Sequence, residues 1–154
     1  MAGLGSALAG AGHDVVVLTV ADRPAELRAT PPEGVRVLRT LVDLPWLPPS
    51  EAVTRIASAN HAVTKIGSRL VGDLEGWEPD IVHAHVWQLG WAADSLAARY
   101  DVPFVLTMHG TERVRHGGQL PLGHPTDINS IEWWLAFQAD RMISPTRFIV
   151  EQLI

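Results

Sequence analysis

Apolar positions along this chain follow two rhythms. Short unbroken apolar runs alternate with longer stretches in which apolar residues return every three or four positions. Asp14 to Val20 (D-V-V-V-L-T-V) is a continuous, largely β-branched run, the pattern of a strand covered on both faces, as in a parallel sheet. Val35 to Leu41 (V-R-V-L-R-T-L) alternates instead, with arginines on one face, and fits a strand nearer the sheet edge. Asp80 to His85, Val102 to Met108 and Arg141 to Ser144 read as three further strands.

The helical rhythm fills the intervals. Leu4 to Gly12 reads as a helix of small residues ended by Gly12. Ser50 is placed to cap a long helix reaching Leu74, along which Val53, Ile56, Val63, Ile66, Leu70 and Leu74 form one apolar stripe. Gln88 to Tyr100 is the next helix, with Leu89, Ala92, Ala93 and Leu96 facing inward. Thr126 or Asp127 caps another that runs to Ala139, and Thr146 to Ile154 begins a last one. Ala21 to Gly34, the segment around Pro45, Pro48 and Pro49, and His109 to Pro125 are loops. Strands alternating with helices predict an α/β domain, a Rossmann-like parallel sheet flanked by helices and joined by right-handed crossovers. Such domains open on a strand. Here a helix leads directly into Asp14–Val20, so the first strand and its turn are expected to be missing, with the chain truncated at both ends.

Composition narrows the class. The chain has 154 residues, enough for one domain with a real core. Its hydrophobic content of 47% with 19% charged residues is that of a globular protein rather than a disordered one. A net charge of -5 gives no general attraction to nucleic acid or anionic membrane. The absence of cysteine excludes disulfides, thiolate metal sites and cysteine nucleophiles. No apolar run approaches the roughly 20 residues of a membrane span, and the start lacks the basic region of a signal peptide. A cytoplasmic location is the expectation.

The chemistry gathers where apolar runs end. His83, His85, His109 and Ser144 close three strands, and the carboxyl ends of parallel strands are where open α/β sheets bind ligands. His83 and His85 share one face of their strand. His83 reads as a hydrogen-bonded core residue, and His85, at the terminus, as a ligand contact. A zinc site from His83, His85, His109 and His116 is the metal alternative, but no His-Glu-x-x-His pattern supports it. His109-Gly110-Thr111-Glu112 is the sharper feature. Gly110 permits close approach of a ligand or of backbone. His109 is suited to donate to a hydroxyl, or to set its carbonyl near developing positive charge. Arg113, Arg115 and His116 are suited to a phosphate or to sugar hydroxyls. Trp87, Trp91, Trp133 and Trp134 are candidates for stacking on sugar rings or for packing a helix onto the sheet, with packing expected for Trp134. Ser144 lacks a G-x-S-x-G elbow, against a serine hydrolase.

The ordered set G-H-D-V-V-V-L-T (12–19), P-D-I-V-H-A-H-V-W (79–87), V-P-F-V-L-T-M-H-G-T-E (102–112), R-H-G-G (115–118), E-W-W (132–134) and A-D-R-M-I-S-P-T (139–146) resembles the amino-terminal domain of GT-B glycosyltransferases. The match is nearest to the retaining, glycogen-synthase-like glucosyltransferases of family four. That resemblance implies one half of a GT-B fold: residues 1–154 as the acceptor-side domain, with the donor-binding domain absent. It implies retaining transfer of a hexose, glucose foremost, from UDP-glucose or ADP-glucose to an α-glucan or sugar-phosphate acceptor, with no cofactor and no metal. His109 takes the position of the histidine that contacts the transferred sugar near its anomeric carbon. His85, Trp87, Gly110, Thr111, Glu112, Arg115 and His116 are implied as substrate contacts. Val86 departs from the family's pattern, which has Asp there. In the usual strand order the missing strand is central, so the second strand is expected to lack a partner on one side and the isolated chain to be inactive and marginally stable. A carbohydrate-binding fragment without chemistry and a histidine-ligated metal hydrolase are the alternatives.

Overall fold

A computed structural model of the chain describes residues 2–42 and 52–153. The proline loop at 45–49 and the Ser50 cap lie outside the described residues. Among the described residues, five strands form two parallel sheets. β1 (Val15–Ala21) pairs with β2 (Val35–Leu41), Val15 opposite Val35 and Ala21 opposite Leu41. β3 (Val82–His85), β4 (Phe104–Thr107) and β5 (Arg141–Ile143) form the second sheet in that order, with His83 opposite Val105 and Thr107 opposite Ile143.

Among the described residues β1 pairs only with β2, and β3 only with β4. The expected burial of β1 on both faces is therefore corrected: its first six residues are half-buried, and only Ala21 is buried. A strand with one ladder partner has one flank bare, and its side chains lose neighbours on that side. The two sheets are nevertheless joined through helices. α2 (Ala52–Gly67) packs on β1 and on α4 (Gly90–Tyr100), which in turn packs on β3 and β4. At Gly67 the approach is so close that an added Cβ would sit 2.6 Å from Leu96 of α4 and 2.9 Å from Leu18 of β1.

Gly67 also ends the long helix earlier than the apolar stripe predicts. The Tyr100 hydroxyl donates to the Gly67 carbonyl at 2.7 Å, taking the acceptor that the next helical turn would use. The chain resumes in α3 (Leu70–Asp73), a single turn. α1 spans Ala2–Gly10, and Gly12 follows it in the left-handed region at φ 92°, where glycine carries no steric cost. A 3-10 turn, Pro24–Arg28, lies within the first loop.

The interval His109–Pro125 is not all loop. It contains α5 (Glu112–Arg115), and α6 (His124–Gln138) begins two residues before Thr126. Pro125 sits in the first turn of α6, where an amide has no helical partner to lose. The Thr126 hydroxyl donates to the Pro121 carbonyl instead of capping. α7 (Arg147–Leu153) closes the described chain. The core centres on β4: Phe104, Leu106 and Met108 pack with Ala84, Trp87, Ala93, Ala97, Ile128 and Leu135. All three residues of β5 are exposed, and no described helix is long and apolar enough to cross a membrane.

Candidate functional site

The site is built from the carboxyl ends of β3 and β4. Parallel pairing sets His85 opposite Thr107, which brings the residues after the two strands together. The His83 ring is half-buried, and its Nε2 lies 2.7 Å from the Thr107 hydroxyl. His83 is thus hydrogen-bonded as expected, but half-buried rather than in the core. The His85 ring lies between two others, its centroid 4.4 Å from that of His83 and 5.7 Å from that of His109. Nδ1 of His85 faces Nε2 of His109 at 3.4 Å.

Within this row of imidazoles, charge is disfavoured on His83 and His85. Burial lowers the pKa of His83 from its ordinary value. Burial also lowers that of His85, and the neighbouring rings of His83 and His109 add to the effect. Neutral rings at the end of a strand are suited to hydrogen bonding with sugar hydroxyls, each offering one donor and one acceptor. Ser144 does not join the row: its hydroxyl donates to the Thr146 carbonyl. Nor does His116, which is engaged elsewhere. Among the described residues no group of three or more His, Asp or Glu side chains is arranged to hold a metal ion.

His109 is exposed, yet the residues on either side of the His109–Gly110 pair are fixed. Met108 is fully buried and its amide donates to the Ile143 carbonyl at 2.9 Å. Thr111 is buried and caps α5, its hydroxyl accepting from the Val114 amide at 3.1 Å. His109 and Gly110 therefore form a two-residue arch between buried footings. A Cβ on Gly110 would meet nothing within 4 Å, so no backbone neighbour explains the glycine; the space beside it is open.

Beyond the arch, Glu112 does not present its carboxylate to solvent as a residue of an open loop would. It is 4% exposed, accepts from the Arg115 guanidinium, and lies 3.2 Å from Nε2 of His116. Arg115 itself is exposed along most of its length and Arg113 is exposed, which leaves cationic character at this rim.

Two features were not legible in the pattern of residues. Glu132 of α6 is 3% exposed, and both its oxygens accept the Glu112 amide, at 2.9 and 3.2 Å. Val86 stands at φ 59°, a left-handed conformation that a β-branched residue rarely adopts. Its amide donates to the Thr107 carbonyl at 2.8 Å, and after it the chain carries Trp87 into the core. Trp87, expected at the cleft, is thus a packing residue in this structure. Trp134, expected to pack, is the exposed one, whereas Trp133 lies against Phe137 with ring centroids 5.9 Å apart.

Comparison with known proteins places this geometry in a family. The chain matches the glycosyl transferase 4-like domain over residues 1–154. It is 36% identical over 149 residues to a glycogen synthase of Mycobacterium tuberculosis, covering 92% of this chain and 36% of that protein. It is 35% identical over 82 residues to a D-inositol 3-phosphate glycosyltransferase of Xylanimonas cellulosilytica, covering 52% of this chain and 19% of the other. It is 35% identical over 69 residues to an alpha-maltose-1-phosphate synthase of Mycobacterium tuberculosis, covering 45% and 18% of the two chains. The chain spans little more than a third of the length of the glycogen synthase it matches. With its parallel sheets, flanking helices and full-length family match, the chain belongs to the glycosyl transferase 4-like domain family.

Proposed function

We propose that this domain forms the acceptor-side wall of the cleft in a retaining GT-B glycosyltransferase. The reaction moves a hexose, glucose foremost, from a nucleotide sugar such as UDP-glucose or ADP-glucose to an α-glucan or a sugar phosphate. The relatives named for glycogen and maltose 1-phosphate synthesis support that choice of sugar and acceptor. In this reading the donor's nucleotide is held by the other half of the GT-B fold.

The observation that carries the reading is the exposed His109 on its clamped arch, with the His85 ring beside it. In a transition state with oxocarbenium character, positive charge develops at the anomeric carbon. The His109 carbonyl is suited to face that charge, and its ring to hold a hydroxyl of the transferred sugar. Such groups act by being fixed in place before reaction, so that little reorganisation is needed as charge develops. Arg115 on the rim supplies a cation for a phosphate group of donor or acceptor.

The test is steady-state kinetics of the complete transferase carrying His109→Ala. Turnover is expected to fall by roughly 10²-fold or more, while donor binding by calorimetry changes little. Unchanged turnover overturns the assignment of His109. A wild-type enzyme that binds glycan but releases no nucleoside diphosphate from either donor overturns the transferase reading itself.

A further inference from the structure

The arch that carries His109 has one footing whose construction is unusual. Met108 is anchored by apolar burial and by a strand-type hydrogen bond to Ile143. The other footing, Thr111–Glu112, is anchored by a carboxylate from a different element. Glu132 projects from the middle of α6, is almost fully buried, and spends both oxygens on one amide, that of Glu112. A buried carboxylate is costly unless it is well bonded, so its presence here calls for a reason beyond packing. An apolar residue would fill the same space without that cost.

We propose that Glu132 is a positioning residue for His109, its carboxylate holding the Glu112 amide so that the His109–Gly110 arch keeps a fixed height above the sheet. This rests on the reading of His109 as the residue that meets the transferred sugar. The amide in question is the first of α5, which has no partner within its own helix. Without Glu132 it would be a buried donor lacking an acceptor, and α5 would move outward to find water. Thr111 would move with it, because its hydroxyl caps the same turn. Only Gly110 separates Thr111 from His109, so a displacement of the turn reaches the imidazole almost undiminished.

The cluster continues one step further. Glu112 turns its own carboxylate back onto Arg115 and His116 at the far end of the same turn. α5 is thus held at its start by Glu132 and across its length by Glu112. Neither carboxylate is exposed to a substrate, and among the described residues no buried side-chain polar atom is left without a partner. The arrangement is a fixed clasp, with its effect exerted through the backbone of residues 109–112.

Two readouts test the clasp. In this chain, Glu132→Ala is expected to speed hydrogen exchange of the Glu112 and Val114 amides while those of β4 remain protected. In the complete transferase, the same substitution is expected to lower kcat by roughly 10–100-fold, the scale of an ångström-sized misplacement, with KM for donor and acceptor nearly unchanged. Glu132→Gln retains one acceptor oxygen and is expected to recover most of both losses. If Glu132→Ala does not fold, Glu132→Asp serves, since it keeps the charge but draws the carboxylate back from the amide; it is expected to reproduce the loss in kcat. Unaltered exchange at Glu112 in either shortened variant overturns the proposal. So does a kcat that follows wild type in both, or a Gln variant as impaired as Asp. Exchange that responds as expected in a protein without transferase activity would instead count against the reading of His109 and leave the clasp standing.

Discussion

Nδ1 of His85 and Nε2 of His109 face one another at 3.4 Å, so a proton on one of them is best met by a bare nitrogen on the other. A charge on the His85 ring is disfavoured by this neighbour. Replacing His109 by Ala is therefore expected to raise the His85 pKa back toward the ordinary 6.5 while leaving it depressed by burial. A histidine titration followed by NMR checks this, and an unmoved His85 would show that the two rings are not in electrical contact.

Glu132 gives stability a pH dependence of the opposite sign to the histidines. Burial, with the adjacent Glu112 carboxylate, raises its pKa from 4.5 to about 7, against the Glu112 amide and Arg115, which lower it. A folded-state pKa above the unfolded one means that its stabilising contribution is complete below pH 4.5 and is lost as pH rises through about 7. His83 and His85, with depressed values, contribute stability above pH 6.5 that is lost as pH falls. Glu132→Gln is expected to remove the first dependence, gaining on the order of 3 kcal/mol over wild type well above pH 7 and little at pH 4.5. Denaturant unfolding across that range measures it; a constant difference would contradict the assignment.

Val86→Asn is expected to stabilise the chain by about 1 kcal/mol, because asparagine tolerates the left-handed conformation that valine strains to hold. Chemical denaturation gives the number. A destabilised variant would mean that the valine side chain contributes more by packing than its backbone costs.

Gly110→Ala separates folding from binding. The added methyl meets nothing within 4 Å and the backbone there is not left-handed. Stability is expected to hold or rise by about 0.5 kcal/mol, since alanine has less freedom to lose on folding. If a sugar occupies that space, KM for a substrate rises in the complete enzyme while the melting temperature does not fall. Unchanged kinetics would leave the glycine without a ligand-based explanation.

The two sheets are expected to open at different free energies. β1 and β2 are mostly half-buried, whereas β4 contains fully buried Leu106 and is followed by fully buried Met108. Hydrogen exchange is expected to release the amides of β1 and β2 first. Leu106→Ala, at the best-packed position, is expected to cost roughly 2–5 kcal/mol, read by the same denaturation assay. Uniform protection across both sheets would show that the helices α2 and α4 weld them into one unit.

Much of this architecture could be read from the order of residues. Val35–Leu41 coincides with β2 to the residue, because alternation and flanking turn residues mark both of its ends. The convergence of His85 and His109 followed from parallel topology alone. What remained hidden depends on contacts distant in sequence. Tyr100 ends a helix 33 residues away by taking the Gly67 carbonyl. Glu132, lying between apolar neighbours in I-E-W-W, carries no local sign that it faces inward to an amide 20 residues earlier. Trp87 was not legible as a packing residue because the left-handed turn at Val86, which precedes it, has no signature in a valine.

β5 is exposed at all three residues and has no ladder partner on the side away from β4 among the described residues. Its own Ile143 and the nearby Phe137, Phe148 and Val150 stand exposed. An apolar strand edge of this kind templates pairing between molecules. Self-association of this chain is therefore expected to rise with concentration, and a single lysine on the outer edge of β5 is expected to suppress it, as light scattering would show.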